Sequence, residues 1–146
     1  MKTKKPVIII LGEPNSVFVE IISKVLNKTS IKKKINYPLI LIGSKKLISS
    51  QLKLLKRKLN FDDLNDIKLI KKLKNKVYLI DVNYKFKNAF EKISKNSKSY
   101  ISECFRIALK ILNSGKCDII INGPISKKHF LENKYPEITE YIYFKS

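Results

Sequence analysis

Four short apolar runs punctuate this chain: residues 7–11 (VIIIL), 37–44 (YPLILIGS), 76–82 (KVYLIDV) and 118–121 (DIII). Aliphatic residues that do not alternate with polar ones describe strands buried on both faces, the situation inside a parallel sheet covered by helices. The segments between them supply those helices. Val17, Ile21, Ile22 and Val25 recur at helical spacing and predict a helix over residues 17–26, with Ser16 placed as its cap. Gly43 and Ser44 open a second helix, expected to run through KKLISSQLKLLKRKL (residues 45–59). Over residues 99–114, Ile101, Cys104, Phe105, Ala108, Leu109 and Leu112 share one face of a third, which Gly115 would end. Residues 65–76 read as a connector or short helix, and residues 83–99, rich in lysine and serine, as a loop and the most mobile part of the chain. The expected class is α/β, a mostly parallel sheet flanked by helices, with right-handed crossovers. At 146 residues the chain has room for one such domain and not for two.

A formal net charge of +19 is the unusual number in the composition. A field of that size attracts phosphates, nucleic acid or anionic surfaces. All but two of the 31 basic residues are lysine, however, the exceptions being Arg57 and Arg106. Nucleic-acid recognition favours arginine forks on guanine edges and phosphates, so the lysine bias reads as compositional drift and argues against a nucleic-acid partner. Two cysteines, Cys104 and Cys117, are too few for a disulfide framework or a metal knuckle, and a reducing cytoplasm fits them best. The basic opening and its five-residue apolar run are short of the roughly seven or more residues that a signal core needs. No stretch has the length of a membrane span.

In open parallel sheets ligands sit at the carboxyl ends of the strands, which draws attention to two loops. GEPNSVFVEI (residues 12–21) combines a tight glycine turn, an acid, a proline and a helix start whose amides could face an anion. NGPISKKHF (residues 122–130) forces the backbone out of its strand and brings Ser126 and Lys127 to the next helix, where a lysine can meet a phosphate or carboxylate as a point charge. On local physics alone the first loop reads as a common turn, since Gly-X-Pro often follows a strand, and the second is equally well a solvated lysine at a plain strand end.

Taken together, in this order and followed by YPEITEY (residues 135–141), the two loops resemble the 4-hydroxythreonine-4-phosphate dehydrogenases of vitamin B6 biosynthesis. Members of that family open with Gly-(Asp/Glu)-Pro-Ala-Gly-Ile-Gly-Pro-Glu after a strand, and later carry a Thr/Asn-(Ala/Gly)-Pro-Ile-X-Lys turn and then Gly-His-Thr-Glu. Gly12, Glu13, Pro14 and Glu20 match the first motif, Asn122, Gly123, Pro124, Ile125 and Lys127 the second, and Thr139 and Glu140 the third. Asn15, Ser16, Phe18 and Val19 replace Ala, Gly, Gly and Pro, and Ile138 stands in place of the family histidine. The resemblance covers essentially the whole chain but only about the first half of a family member. It implies a single partial α/β domain over residues 1–146, like a truncated first domain of the isocitrate/isopropylmalate-dehydrogenase-like folds.

What the resemblance implies about chemistry is specific. Intact members oxidise their phosphorylated substrate with NAD and a divalent metal (Zn, Mg or Co), and decarboxylation then gives 3-amino-2-oxopropyl phosphate; they act as homodimers. The substrate-side candidates carried over are Thr139, Ile138 and Lys127. The family's three metal-binding histidines lie downstream of the matched region, and His129, the one histidine here, stands outside any ligand cluster. The expectation is a chain with no complete catalytic set and no metal site, inactive alone and completed by a possible second-half chain. The competing expectations are a basic nucleic-acid- or anion-binding α/β module, and a generic flavodoxin-like domain. The shared-site reading requires the strand of residues 7–11 and that of residues 118–121 to lie side by side and to open at the same end.

Overall fold

The computed structural model describes residues 4–132 and 134–146; the basic opening, Met1 to Thr3, lies outside them. Strand β1 (Val7–Ile10) leads into α1 (Phe18–Asn27) and a short α2 (Thr29–Lys34), then β2 (Leu39–Gly43) and α3 (Lys45–Leu54). A two-residue β3 (Asp62–Asp63) and a 3-10 turn (Ile67–Lys72) precede β4 (Val77–Asp81) and the long α4 (Lys95–Asn113). Strand β5 (Ile119–Asn122), α5 (Lys127–Phe130) and α6 (Ile138–Lys145) follow. The sheet has five strands in the order β3-β4-β2-β1-β5, every pair parallel. The α/β class and the parallel sheet are as expected, and β1 and β5 are direct neighbours, Val7 opposite Ile119 and Ile10 opposite Asn122.

Alternation along the strands divides the interior into two layers, because successive side chains point to opposite faces. Ile8, Ile10, Ile40, Ile42 and Ile80 pack with Ile101, Phe105, Ala108 and Ile111 of α4 on one face. Val7, Ile9, Leu39, Leu41 and Leu79 pack with Val19, Ile22 and Leu26 of α1 and Ile48 and Leu52 of α3 on the other. Each fully buried aliphatic side chain contributes about 1.5–3 kcal/mol relative to leaving it in water. The central runs therefore read as they do because both faces are covered.

Several boundaries differ from the sequence expectation, each for a local reason. Ser16 is not the cap of α1: its amide donates to the Glu13 carbonyl (3.1 Å) in a tight turn, the cap position falls to Val17, and the Ser16 hydroxyl reaches the Phe18 amide only at 3.4 Å. Helix α3 ends at Leu54 rather than near residue 59, because Lys56 adopts a left-handed φ of 52° and reverses the chain. Helix α4 begins at Lys95, four residues before the expected start at residue 99, where Ser94 and Ser97 form a reciprocal capping box. The serines that read as loop markers are here a helix start. The segment before it is anchored rather than loose in the sequence sense, with Tyr84 and Ala89 both buried.

Candidate functional site at the carboxyl edge of the sheet

Adjacent parallel strands deliver their following loops to the same edge, so β1 and β5 bring GEP and NGP together. The Gly123 amide donates to the Ile10 carbonyl (2.7 Å) and the Glu13 amide to the Pro124 carbonyl (2.9 Å). The Ser126 amide donates to Glu13 Oε1 at 3.4 Å. Gly12 has a positive φ of 78°, and a Cβ built there would stand 2.5 Å from the Pro124 oxygen. A Cβ on Gly123 would meet the Leu11 oxygen at 2.5 Å and Phe18 Cδ1 at 2.6 Å. The glycines are thus needed for one loop to lie on the other. Phe18, where the family has glycine, fills space against Gly123.

Glu13 is the chemical centre of this junction. It is buried, its Oε2 has no hydrogen-bond partner among the described residues, and desolvation pushes its carboxyl above the ordinary range, opposed by the Ser126 amide and by nearby His129. A second buried acceptor, Gln51 Oε1, also lacks a donor. Its Nε2 donates to the Pro14 carbonyl (2.6 Å) and the Ala89 carbonyl (2.8 Å), tying the GEP loop to the segment after β4. Beside it the Ser44 amide donates to the Tyr100 hydroxyl (2.9 Å), Tyr100 stacks on Tyr84 with ring centroids 4.7 Å apart, and the Tyr84 hydroxyl donates to Glu91. Sequence reasoning passed over Gln51, Tyr84 and Tyr100. The usable signal was a glutamine at a core-facing position of α3, between Ile48 and Leu52.

Glu13 titration has a measurable consequence. A raised folded pKa means that the folded chain holds this proton more tightly than the unfolded chain does. The group therefore imposes no penalty below the ordinary carboxylate range, and stability falls as pH rises through the interval up to the raised value. Glu13→Gln keeps an acceptor for the Ser126 amide and removes the buried charge. Urea unfolding across pH 4 to 8 is expected to show the variant gaining on the parent as pH rises, and parallel curves would refute the assignment. The comparison of the two chains isolates Glu13 from Glu20, Glu91, Glu103 and Glu132, whose lowered pKa values give the opposite slope.

The three candidates carried from the sequence cluster around α5 and α6. Lys127 is exposed and pairs with Glu137, which also joins Glu140 in the capping box of α6. Ile138 packs, partly buried, against the α4-side core, while Thr139 is exposed in the first turn of α6. Space is distributed differently from chemistry. A cavity of about 670 Å³ lies at the opposite edge, against Leu39 and Val77 at the starts of β2 and β4. At the carboxyl edge there are shallower hollows, one of about 440 Å³ lined by Ser44, Lys45, Lys46 and Asp81 among others. Lysines, serines and a capped helix start suit a phosphorylated ligand better than the apolar cavity does.

Among the described residues no three His, Cys, Asp or Glu side chains are grouped to hold a metal ion, and His129 is exposed on α5. At the glycine turn after β1 the Pro124 carbonyl occupies the space that a Cβ on Gly12 would take. Burial pushes the Cys104 thiol up to about 12, which leaves no thiolate for covalent chemistry at neutral pH. No helix among the described residues is long and apolar enough to cross a membrane.

The chain is a parallel α/β unit whose first and last strands interlock two proline-bearing loops at the carboxyl edge, the edge along which open α/β sheets in general bind their ligands. Comparison with known proteins narrows this: the profile of the family described as "Pyridoxal phosphate biosynthetic protein PdxA" matches residues 34–145, and the chain belongs to that family. Among solved structures it is similar to a 4-hydroxythreonine-4-phosphate dehydrogenase from Burkholderia phymatum (20% identity, TM-score 0.76, 97% of this chain and 43% of that one). It is similar to the enzyme of the same name from Klebsiella pneumoniae (17%, 0.76, 97% and 43%). A terephthalate 1,2-cis-dihydrodiol dehydrogenase from Burkholderia xenovorans shares the fold less closely (18%, 0.63, 94% and 40%). No curated protein matches. The chain thus spans less than half the length of the structures it resembles.

Proposed function

We propose that this chain forms the substrate-side wall of a 4-hydroxythreonine-4-phosphate dehydrogenase, an oxidoreductase of pyridoxal phosphate biosynthesis, and is a partial domain that acts only with the remaining part of that fold. The observation that carries the reading is the interlock of GEP and NGP at one edge of the sheet in a chain of the PdxA family. In this reading the substrate phosphate competes with Glu137 for Lys127, and the exposed Thr139 hydroxyl contributes a further hydrogen bond. Ile138, in place of a histidine, removes a donor and leaves Lys127 the main cationic contact. Glu13 holds the Lys127-bearing turn through the Ser126 amide. NAD and a divalent metal (Zn, Mg or Co) are assigned to the remaining part, together with the oxidation, the decarboxylation and the homodimer contact; the setting is cytoplasmic.

The test is NADH formation from 4-hydroxythreonine 4-phosphate. The purified chain alone is expected to give none. Together with a polypeptide carrying the remainder of the fold it is expected to give turnover, which Lys127→Ala reduces by a factor on the order of ten or more, the effect of losing one charge-assisted phosphate contact. Turnover by the chain alone, or full turnover by the Lys127 variant, would overturn the reading.

A further inference from the structure

Strand β5 pairs with β1 on one side and with nothing on the other among the described residues. Its side chains alternate in register with β1, so Ile119 and Ile121 share the face of Val7 and Ile9. On β1 that face is covered by α1, and Val7 and Ile9 are 8% and 6% exposed; on β5, Ile119 and Ile121 are 53% and 47% exposed. The apolar area continues onto α1. Phe18 reaches across to Gly123 at the top of β5, and Ile21, one turn further along the same stripe, is 46% exposed. An open backbone edge and an uncovered aliphatic face therefore lie together on one side of the sheet, an arrangement that invites strand pairing and helix cover.

We infer that this surface is the docking site for a polypeptide segment from the part of the fold that the similar structures carry beyond the 43% matched here, a segment that pairs with β5 and covers Ile119, Ile121 and Ile21. The inference deepens the functional reading above and rests on it for the identity of the partner. The extent of the partner follows from coverage: the match takes in 97% of this chain and leaves more than half of the Burkholderia phymatum and Klebsiella pneumoniae chains without a counterpart. A second copy of this chain is the poorer occupant, because it would set a second chain of formal net charge +19 against the first.

The probe is the unmatched portion of the Klebsiella pneumoniae enzyme, prepared as a separate polypeptide and mixed with the full 146-residue chain in sedimentation velocity. A one-to-one complex is expected. Ile119→Lys/Ile121→Lys places two charges on the covered face and is expected to weaken the complex by roughly thirtyfold or more, the loss that follows from half-burial of two isoleucines. Ile119→Thr/Ile121→Thr, which keeps strand propensity, should fall between. Both positions are already half exposed, so circular dichroism and the melting temperature should stay close to the parent's. No complex at about 100 µM, a complex indifferent to the lysine pair, or self-association that the lysine pair abolishes would each overturn the inference. NADH formation separates it from the functional reading: a complex that depends on Ile119 and Ile121 but turns nothing over refutes the activity and leaves the surface, and turnover indifferent to them does the reverse.

Discussion

Gly12→Ala is expected to destabilise the chain by about 2–5 kcal/mol, adding about 1–2 kcal/mol for a side chain in the left-handed region to about 1–3 kcal/mol of overpacking. The Cβ would sit 2.5 Å from the Pro124 oxygen and 2.9 Å from the Gly123 carbonyl carbon, and both are backbone atoms that cannot rotate aside. Single domains are stable by only about 5–15 kcal/mol, so the loss is a large share of the total. Gly123→Ala is the informative companion. It carries no left-handed penalty, and one of its three clashes is with the Phe18 ring, the other two being with the Leu11 backbone. Combining it with Phe18→Ala removes that ring, so the double variant should be less destabilised than the two single losses sum to. Chemical denaturation of the four chains reads all of this; an unperturbed Gly12→Ala would mean that the two loops do not interlock.

Phe105→Ala is expected to cost about 3–5 kcal/mol, the usual range for removing a fully buried phenyl ring. Phe105 has no exposed surface, stacks on Phe130 at 5.6 Å and meets the edge of Tyr141 at 5.6 Å. Those two partners belong to α5 and α6, so the cavity would open under the segment that carries Lys127, Ile138 and Thr139. Hydrogen exchange should therefore rise in α5 and α6 by more than it does in β2 and β4. A uniform rise across all elements would show that the aromatic cluster does not hold these helices selectively.

The strands were legible because burial on both faces leaves an unbroken aliphatic run, and no alternative element of five residues explains such a run as well. Ser44 caps α3 as expected, but the starts of α1 and α4 were not legible, because serine favours caps and loops for the same reason, its hydroxyl competing for nearby amides. Thus Ser94 and Ser97 begin a helix where a loop was expected, and Ser16 sits in a turn where a cap was expected. Strand β5 shows a further limit. Its isoleucines look like those of β1 in composition, yet two of them are exposed, since an aliphatic run says that two faces want cover and not whether both have it. At the site, the pairing of GEP with NGP followed from strand order, while the anchoring by Gln51, Tyr84 and Tyr100 did not. Those contacts join segments whose meeting depends on the tertiary fold, and no spacing rule within one segment encodes them.

The bond from the Ser126 amide to Glu13 spans 113 residues, and the β1–β5 pairing that makes it possible is of similar reach. Contacts so distant in sequence pay their loop-closure entropy before they return anything, and they form late. During synthesis the GEP turn would leave the ribosome early and wait through nearly the whole chain for NGP to arrive. Until then Val7 and its neighbours present an unpaired apolar edge, so the step that pairs the second side of β1 is also the step that assembles the candidate site.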